Sequence, residues 1–305
     1  MNLKAVRFFN SVWRVWILYA FALAVIFLFL DHKTARFHSY GATLSRLQPS
    51  YEYLTKYNDG KAAYDRQELL AYRLFFSRLV SILPQRSDGY ALLGYCQHEL
   101  GDTQAAIASL KKSADAVPPF LWFNYNLGYM YFEVKDYSHA IEYLNKAVQG
   151  NSEIAFKYMK TSKLYLDAIA TISGFPEQFP SRVRNGLRDS YKLLVLSYFY
   201  SKQSQEMVGA AQMAINLKLD DDGFFHYYLG IIAYYSGQLE ASVMYFQKAI
   251  ALDSQAADNY HFLALALKDL GRQDLAMAVM KQSQQYSQTK GSDYGQLKNI
   301  RLKFF

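Results

Sequence analysis

The residues closest to a metal-binding pattern are Asp220, Asp221 and Asp222, followed by Gly223. Three carboxylates beside a turn-forming glycine suit a hard cation such as calcium. The stretch lacks the spaced oxygen donors and the closing glutamate of a calcium loop, so it reads as a turn whose side chains cap the next helix. The six histidines (His32, His38, His98, His139, His226 and His261) fall at no spacing that brings two imidazoles to one metal. Cys96 is the single cysteine, so the chain can build neither an internal disulfide nor a cysteine-based zinc site. A small buried apolar role suits it. There is no nucleophile elbow and no glycine loop of the kind that cradles phosphate. No catalytic residue, metal site or cofactor is expected, and the chain is not read as an enzyme.

The chemistry that is present in quantity is aromatic. The 305 residues include 27 Tyr and 21 Phe, well above ordinary usage, and only six Pro. Apolar residues make up 51%, enough for a large core. Scarce proline with long periodic apolar stretches favours helices. The net charge of +7 is unevenly spread. Residues 1–30 hold three basic and no acidic side chains, residues 31–86 nine and five, and the last fifteen residues three and one. Residues 87–290 hold eighteen basic and twenty acidic. A nucleic-acid-binding body would need a basic stripe, so no nucleic-acid partner is expected. Basic ends beside an apolar segment fit a chain held near an anionic membrane surface.

Val15 to Leu30 is free of charge, and extension back to Phe8 adds only Arg14, which can snorkel. As a helix, residues 8–30 reach about 35 Å, enough for a bilayer core. Trp13, Trp16 and Tyr19 cluster at one end like an interfacial belt. The run ends without the small residues of a signal-peptidase site, so an uncleaved anchor in the lipid bilayer is expected rather than a cleaved signal peptide. Basic residues flank the span almost equally. The short basic tail favours an N-in orientation, with the body exported.

The body is periodic. Gly94 and Gly128 are 34 residues apart, as are Gly237 and Gly271, and Gly128 to Gly230 is three such steps. Around Gly128 the chain reads Leu127-Gly128-x2-Tyr131, then Ala140-x3-Leu144 and Ala147. Residues 90–118 and 226–253 repeat this pattern, 259–283 repeats it with Ala264 for the first glycine, and 191–217 is a weaker copy. A 34-residue period with this pattern resembles the tetratricopeptide repeat (TPR). The resemblance implies an all-α fold: a TPR-type right-handed α-solenoid of antiparallel helix pairs, here preceded by one transmembrane helix. The expected organisation is a basic N-terminus and anchor over 1–30, a juxtamembrane linker over 31–52 and an incomplete helical repeat over 53–86. Two repeats follow over 87–154, a degenerate repeat over 155–188, three repeats over 189–290, and a basic and apolar C-terminal cap or tail over 291–305. In the degenerate repeat, Pro176 and Pro180 predict a loop near 173–181, between a helix near 152–171 and a long helix from about 183. The tail is expected to cover the last repeat's open face or to serve as a docking or membrane-contact peptide.

In such a repeat, small residues let two helices touch. Gly94, Ala106, Gly128, Ala140, Ala147, Gly230, Ala249 and Ala276 take those positions. Gly101, Gly237 and Gly271 end first helices with positive φ, and Gly223 is expected to need only its φ. The resemblance also places the inner lining. It falls on Trp122, Tyr125, Tyr129, Phe132 and Glu133, on Phe224, Tyr227, Ile231, Tyr234 and Tyr235, and on Lys192, Phe199 and Tyr200. The first repeat offers Tyr95, His98 and Glu99. TPR co-chaperones that grip a terminal carboxylate use a Lys, Arg and Asn cluster, which is absent, because Lys192 and Asn126 stand alone. The lining rings either form a partner-binding groove or pack as core against the next repeat. The chain looks like the anchored TPR proteins of bacterial envelopes, and that resemblance implies a membrane-anchored scaffold or adaptor at the inner membrane that binds a protein partner, a membrane-complex subunit or an exported client, in assembly, export or translocation. The alternatives are a fixed accessory subunit of a membrane complex and, more weakly, an enzyme accessory domain.

Overall fold

The computed structural model describes residues 66–115, 120–150, 157, 175–290, 302 and 303, all within the compact unit Thr55–Phe305. Among these residues there are eleven helices and no strand. They are α1 (Arg66–Ile82), α2 (Ser87–Glu99), α3 (Thr103–Asp115), α4 (Leu121–Glu133), α5 (Tyr137–Gln149) and α6 (Phe175–Tyr200). Then follow α7 (Ser204–Asn216), α8 (Phe224–Tyr235), α9 (Leu239–Leu252), α10 (Ala257–Asp269) and α11 (Gln273–Lys290). The expected anchor over 8–30, the linker and residues 53–65 lie outside the described residues. So does the helix expected near 152–171, apart from Lys157, which is helical. Among the described residues no helix is long and apolar enough to cross a membrane.

Tight turns join each pair. After α2, the Gly101 amide donates to the His98 carbonyl and the Asp102 amide to the Gln97 carbonyl, both at 2.8 Å. These two bonds close the helix end around a left-handed residue. The same pattern follows α8 at Gly237 and α10 at Gly271, with φ of 74° and 79°. After α4 and α6 the left-handed residue is a lysine, Lys135 or Lys202, with φ of 62° and 61°. Asp102 and Asp136 then accept from the Ala105 and His139 amides, which starts the second helix at once.

Within a pair the helices meet through their smallest residues. A Cβ on Gly94 would lie 2.7 Å from Leu110 Cγ, one on Gly128 2.6 Å from Leu144 Cγ, and one on Gly230 2.7 Å from Phe246 Cε1. Ala106, Ala140, Ala147 and Ala249 are fully buried, and Ala276 is buried. Gly223 departs from the expectation that its φ alone matters. Its φ is 78°, and a Cβ there would lie 2.6 Å from the Ala249 carbonyl oxygen. The backbone of the paired helix α9 therefore excludes a side chain as well.

Each pair stacks on the next, α3 on α4, α5 on α6, α7 on α8 and α9 on α10, while α1 packs on α2. The first helices also touch one another, α4 on α6, α6 on α8 and α8 on α10. They therefore form the inner side of the array.

Two expectations are corrected. The loop near 173–181 is helical from Phe175, because α6 runs 26 residues through Pro180. Pro176 falls in the first turn, where amides have no partner within the helix. Pro180, the sixth residue, removes only the bond that would reach back to that turn. The second concerns the capping reading of the tail, of which residues 302 and 303 are described. Leu302 and Lys303 do not cover the last repeat. They lie against α4 and α6, where Asn126 bonds to the Lys303 backbone and Asp189 to its ammonium. Leu275 and Met277 on the last helix stay exposed.

Candidate functional site on the inner face

The rings expected to line a groove separate into two sets. Trp122 and Tyr125 are fully buried, and Phe224 and Tyr227 are buried. As placed, Trp122, Tyr125 and Phe224 are core, whereas Tyr227, though buried, reaches the wall of a cleft. For Trp122 the reason is the length of α6. Its N-terminal half lies over the start of α4, with the Phe179 ring 6.2 Å from the Trp122 ring. At Gly186 a Cβ would sit 3.3 Å from Trp122 Nε1. A loop there would have left Trp122 open. Tyr125 is covered by the tail, whose Lys303 Nζ lies 5.5 Å from the ring centre. Tyr129, Phe132 and Tyr234 are half-buried, whereas Tyr200 and Tyr235 are 48% and 73% exposed. Phe132 and Tyr137 gather around Tyr200, with Tyr137 and Tyr200 stacked at 5.3 Å. Tyr234 donates to Asp269 at 2.7 Å and meets Tyr235 edge-on.

Between α6, α8 and α10 the inner face opens into a cleft of about 340 Å³. Phe199, Tyr227, Tyr228, Ile231, Tyr235 and Phe262 line it, with Asp258 at its side. Sequence reasoning named Phe199, Tyr227, Ile231 and Tyr235 here. It missed Tyr228, Asp258 and Phe262, because a cleft between repeats draws on positions beyond one repeat's lining set. Burial raises the pKa of the Tyr228 hydroxyl, so it remains a neutral hydrogen-bonding group at physiological pH.

A second polar site lies between α4 and α6. The buried Asn126 donates from Nδ2 to the Lys303 carbonyl at 2.5 Å and accepts at Oδ1 from the Lys303 amide at 2.6 Å. The buried Asp189 pairs with the Lys303 ammonium through Oδ2 and lies 3.4 Å from Arg188 Nε through Oδ1. Asn126 stood alone in the sequence. Its partner is 177 positions away, a separation that no local pattern reveals.

Between α2 and α4, His98 Nε2 meets Glu133 Oε2 at 2.9 Å, and Glu133 Oε1 accepts from the Tyr129 hydroxyl at 2.6 Å. Glu99 Oε1 lies 3.4 Å from His98 Nδ1. Burial works against a charge on His98, but the Glu133 and Glu99 carboxylates outweigh it and hold its pKa at about 9, above the ordinary 6.5. Burial likewise opposes the Glu133 charge, yet His98 and Tyr129 lower its pKa from 4.5. A raised histidine stabilises fully below its ordinary pKa and loses that contribution as pH rises through the folded value. A lowered carboxylate stabilises above its ordinary pKa. The cluster therefore supports the fold fully between pH 4.5 and 6.5 and fades as pH passes about 9. His98→Gln should cost about 1 kcal/mol at pH 6, the scale of a partly exposed ion pair. The cost should shrink at pH 10. Thermal melts of both proteins at the two pH values check this, and an equal gap at both would refute it.

The Asp220–Asp222 turn has no cation role in this geometry. Asp220 accepts from the Phe225 and His226 amides, both at 3.2 Å, and Asp222 accepts from the Phe224 amide, so these two side chains cap α8. Asp221 binds Arg184 and Arg188, and the Arg184 guanidinium holds its pKa at about 2. Lys192 pairs with Asp222 and lies over the Phe224 ring. Burial pushes the Cys96 thiol pKa well up, which suits an inert packing residue. Among the described residues no group of His, Cys, Asp and Glu is placed to hold a metal.

This arrangement of stacked helix pairs with small residues at each contact defines the class. The tetratricopeptide repeat family model matches residues 87–116, 123–160 and 257–290. Over those segments the chain matches the tetratricopeptide repeat, and its helical body has a TPR-like solenoid fold. Solved structures agree on the fold. A crystal structure of MamA is 22% identical over 65% of this chain and 96% of its own, with a TM-score of 0.50. A second MamA structure is 21% identical over 67% and 93%, with a TM-score of 0.51. YrrB, described as a TPR protein with an unusual peptide-binding site, is 13% identical over 70% and 93%, with a TM-score of 0.50. No curated protein matches the chain in sequence.

Proposed function

We propose that this protein is a membrane-anchored TPR scaffold that holds a protein partner in the aromatic cleft between α6, α8 and α10. The anchor is the apolar run 8–30, and the body stands on the exported side of a bacterial inner membrane. The observation that carries the binding role is the cleft itself: six apolar or aromatic side chains around about 340 Å³, with Tyr235 73% exposed at its edge. Monomers seldom leave rings so open unless they meet a partner. Tyrosine offers large contact area at small entropic cost, with a hydroxyl for orientation. An apolar helix or extended segment fits such a cleft better than an acidic tail does. YrrB's described peptide-binding site supports the same use of this fold.

The test is a photo-crosslinking residue at Tyr235 in intact cells, followed by fractionation. The expected adduct joins one recurring protein, sediments with membranes, and is digested by protease added outside the inner membrane. Tyr235→Ala should cut capture through a second crosslinker at Tyr200 by about tenfold or more, the scale of a hot-spot truncation. Its melting should move little, as expected of an exposed residue. Unchanged capture would overturn the cleft as the binding site, and an adduct that stays protected until the cytoplasm is opened would reverse the orientation.

A second reading has its own observation. Met213 on α7, Met244 and Leu252 on α9, and Leu275 and Met277 on α11 are all 43% exposed or more. They lie on second helices, away from the inner face. A fixed subunit of a membrane complex would cover such a surface permanently, and crosslinkers there would trap one stoichiometric neighbour.

A further inference from the structure

We propose that the site between α4 and α6 is a peptide-binding site of defined chemistry, and that the chain's own Leu302–Lys303 is its resident occupant. The inference deepens the binding role proposed above by naming a second subsite and its regulation. The external ligand is an extended segment in which an apolar residue precedes a lysine or arginine, and it must displace the tail to enter.

Three features of the site read three features of the segment. Asn126 forms a two-way clamp, since its amide donates to the carbonyl and accepts from the amide of one residue, Lys303. That clamp recognises extended backbone of any sequence, because it touches no side chain. Asp189 on α6 pairs with the ammonium, and Tyr125 on α4 lies beneath it at 5.5 Å. Carboxylate and ring face together select a cation. Leu302 is 1% exposed, so the position before the cation is read as apolar.

The burial of the site explains why exchange is favoured over simple opening. Asn126 and Asp189 are 2% and 6% exposed. If the tail left with no replacement, Asn126 and Asp189 would exchange the Lys303 partners for water and the Leu302 side chain would return to solvent, losing its apolar burial. Another segment with the same backbone and charge satisfies both. The tail holds the site in cis at a high effective concentration, so an incoming segment must compete with it. The exposed aromatic cleft has no such occupant among the described residues. A partner that first engages the cleft gains the proximity needed to exchange at the second site.

The experiment uses the full chain in detergent and a fluorescent peptide with the sequence of residues 297–305, LKNIRLKFF. Wild type is expected to bind it weakly, because the site is filled. Lys303→Glu places like charges at Asp189, releases the tail, and should bind the peptide about tenfold or more tightly than wild type. Adding Asp189→Lys to Lys303→Glu rebuilds the pair with reversed polarity and should return peptide binding to the wild-type level or below. Lys303→Ala is a gentler release that should fall between wild type and Lys303→Glu. Equal binding by wild type and Lys303→Glu overturns the proposal. So does a Lys303→Glu or Lys303→Ala chain that loses its cooperative melt and binds no peptide, since the tail would then be a fixed part of the fold. Crosslinking at Tyr235 is read on the chain with its native tail, so failure here is distinct from failure of the cleft.

Discussion

Trp122→Ala is expected to destabilise the helical body by about 3–5 kcal/mol, the range for removing a large buried ring. The indole is fully buried at the start of α4. It meets the Phe120 ring edge-on at 5.4 Å and the Phe179 ring at 6.2 Å, with Gly186 close above it. These neighbours lie at the N-cap of α4 and in the N-terminal half of α6, so neither can collapse into the void without shifting its own stack. Loss of packing there should spread, because each repeat is stable only against its neighbours. Denaturant unfolding gives the total, and hydrogen exchange should show the loss first in α4 and α6. An accessible groove residue would behave otherwise, changing partner capture and leaving the melt alone. A Trp122→Ala protein within about 1 kcal/mol of wild type would mean that α6 does not cover α4 as described.

The second large effect is Gly128→Leu. A Cβ alone would lie 2.6 Å from Leu144 Cγ and 2.9 Å from its Cδ2, with the Leu144 backbone nitrogen at 3.3 Å. Leu144 is itself fully buried, and α3 and α6 close the pair from either side. The added side chain must therefore push α4 from α5 rather than turn aside. Overpacking of this kind costs roughly 1–3 kcal/mol or more. Two other glycines serve as contrasts. Gly209→Ala lies within α7, where nothing stands within 4 Å of the new methyl, and should stabilise by about 0.5–1 kcal/mol. Gly237→Ala is equally open but has a φ of 74°, so its cost is conformational, about 1 kcal/mol. Urea titrations of the three variants should rank them with Gly209→Ala above wild type and Gly128→Leu lowest. If Gly128→Leu unfolds like wild type, the helix pairing is wrong.

The repeat was legible in the sequence because it is made of short-range relations. A helix pair with a tight turn places its contact residues within about 34 positions of one another, and the steric demand is severe enough to leave a mark. Gly94, Gly128 and Gly230 are visible because no side chain fits where they stand. The left-handed turns were legible only where glycine filled them, since Lys135 and Lys202 adopt the same φ and leave no compositional sign.

The tertiary structure alone decided which rings are core and which are surface. Trp122 and Tyr235 are both expected to line the inner face, at opposite ends of their helices, yet one is sealed and the other open. The difference lies in what covers them. A proline near a helix start costs one hydrogen bond, which packing can outweigh. That allows α6 to continue over α4, where local rules favour a loop. The same holds for Asn126, Asp189 and Lys303. Periodicity can announce contacts one repeat apart, but it carries no record of a tail that returns across 177 positions to satisfy two buried polar groups.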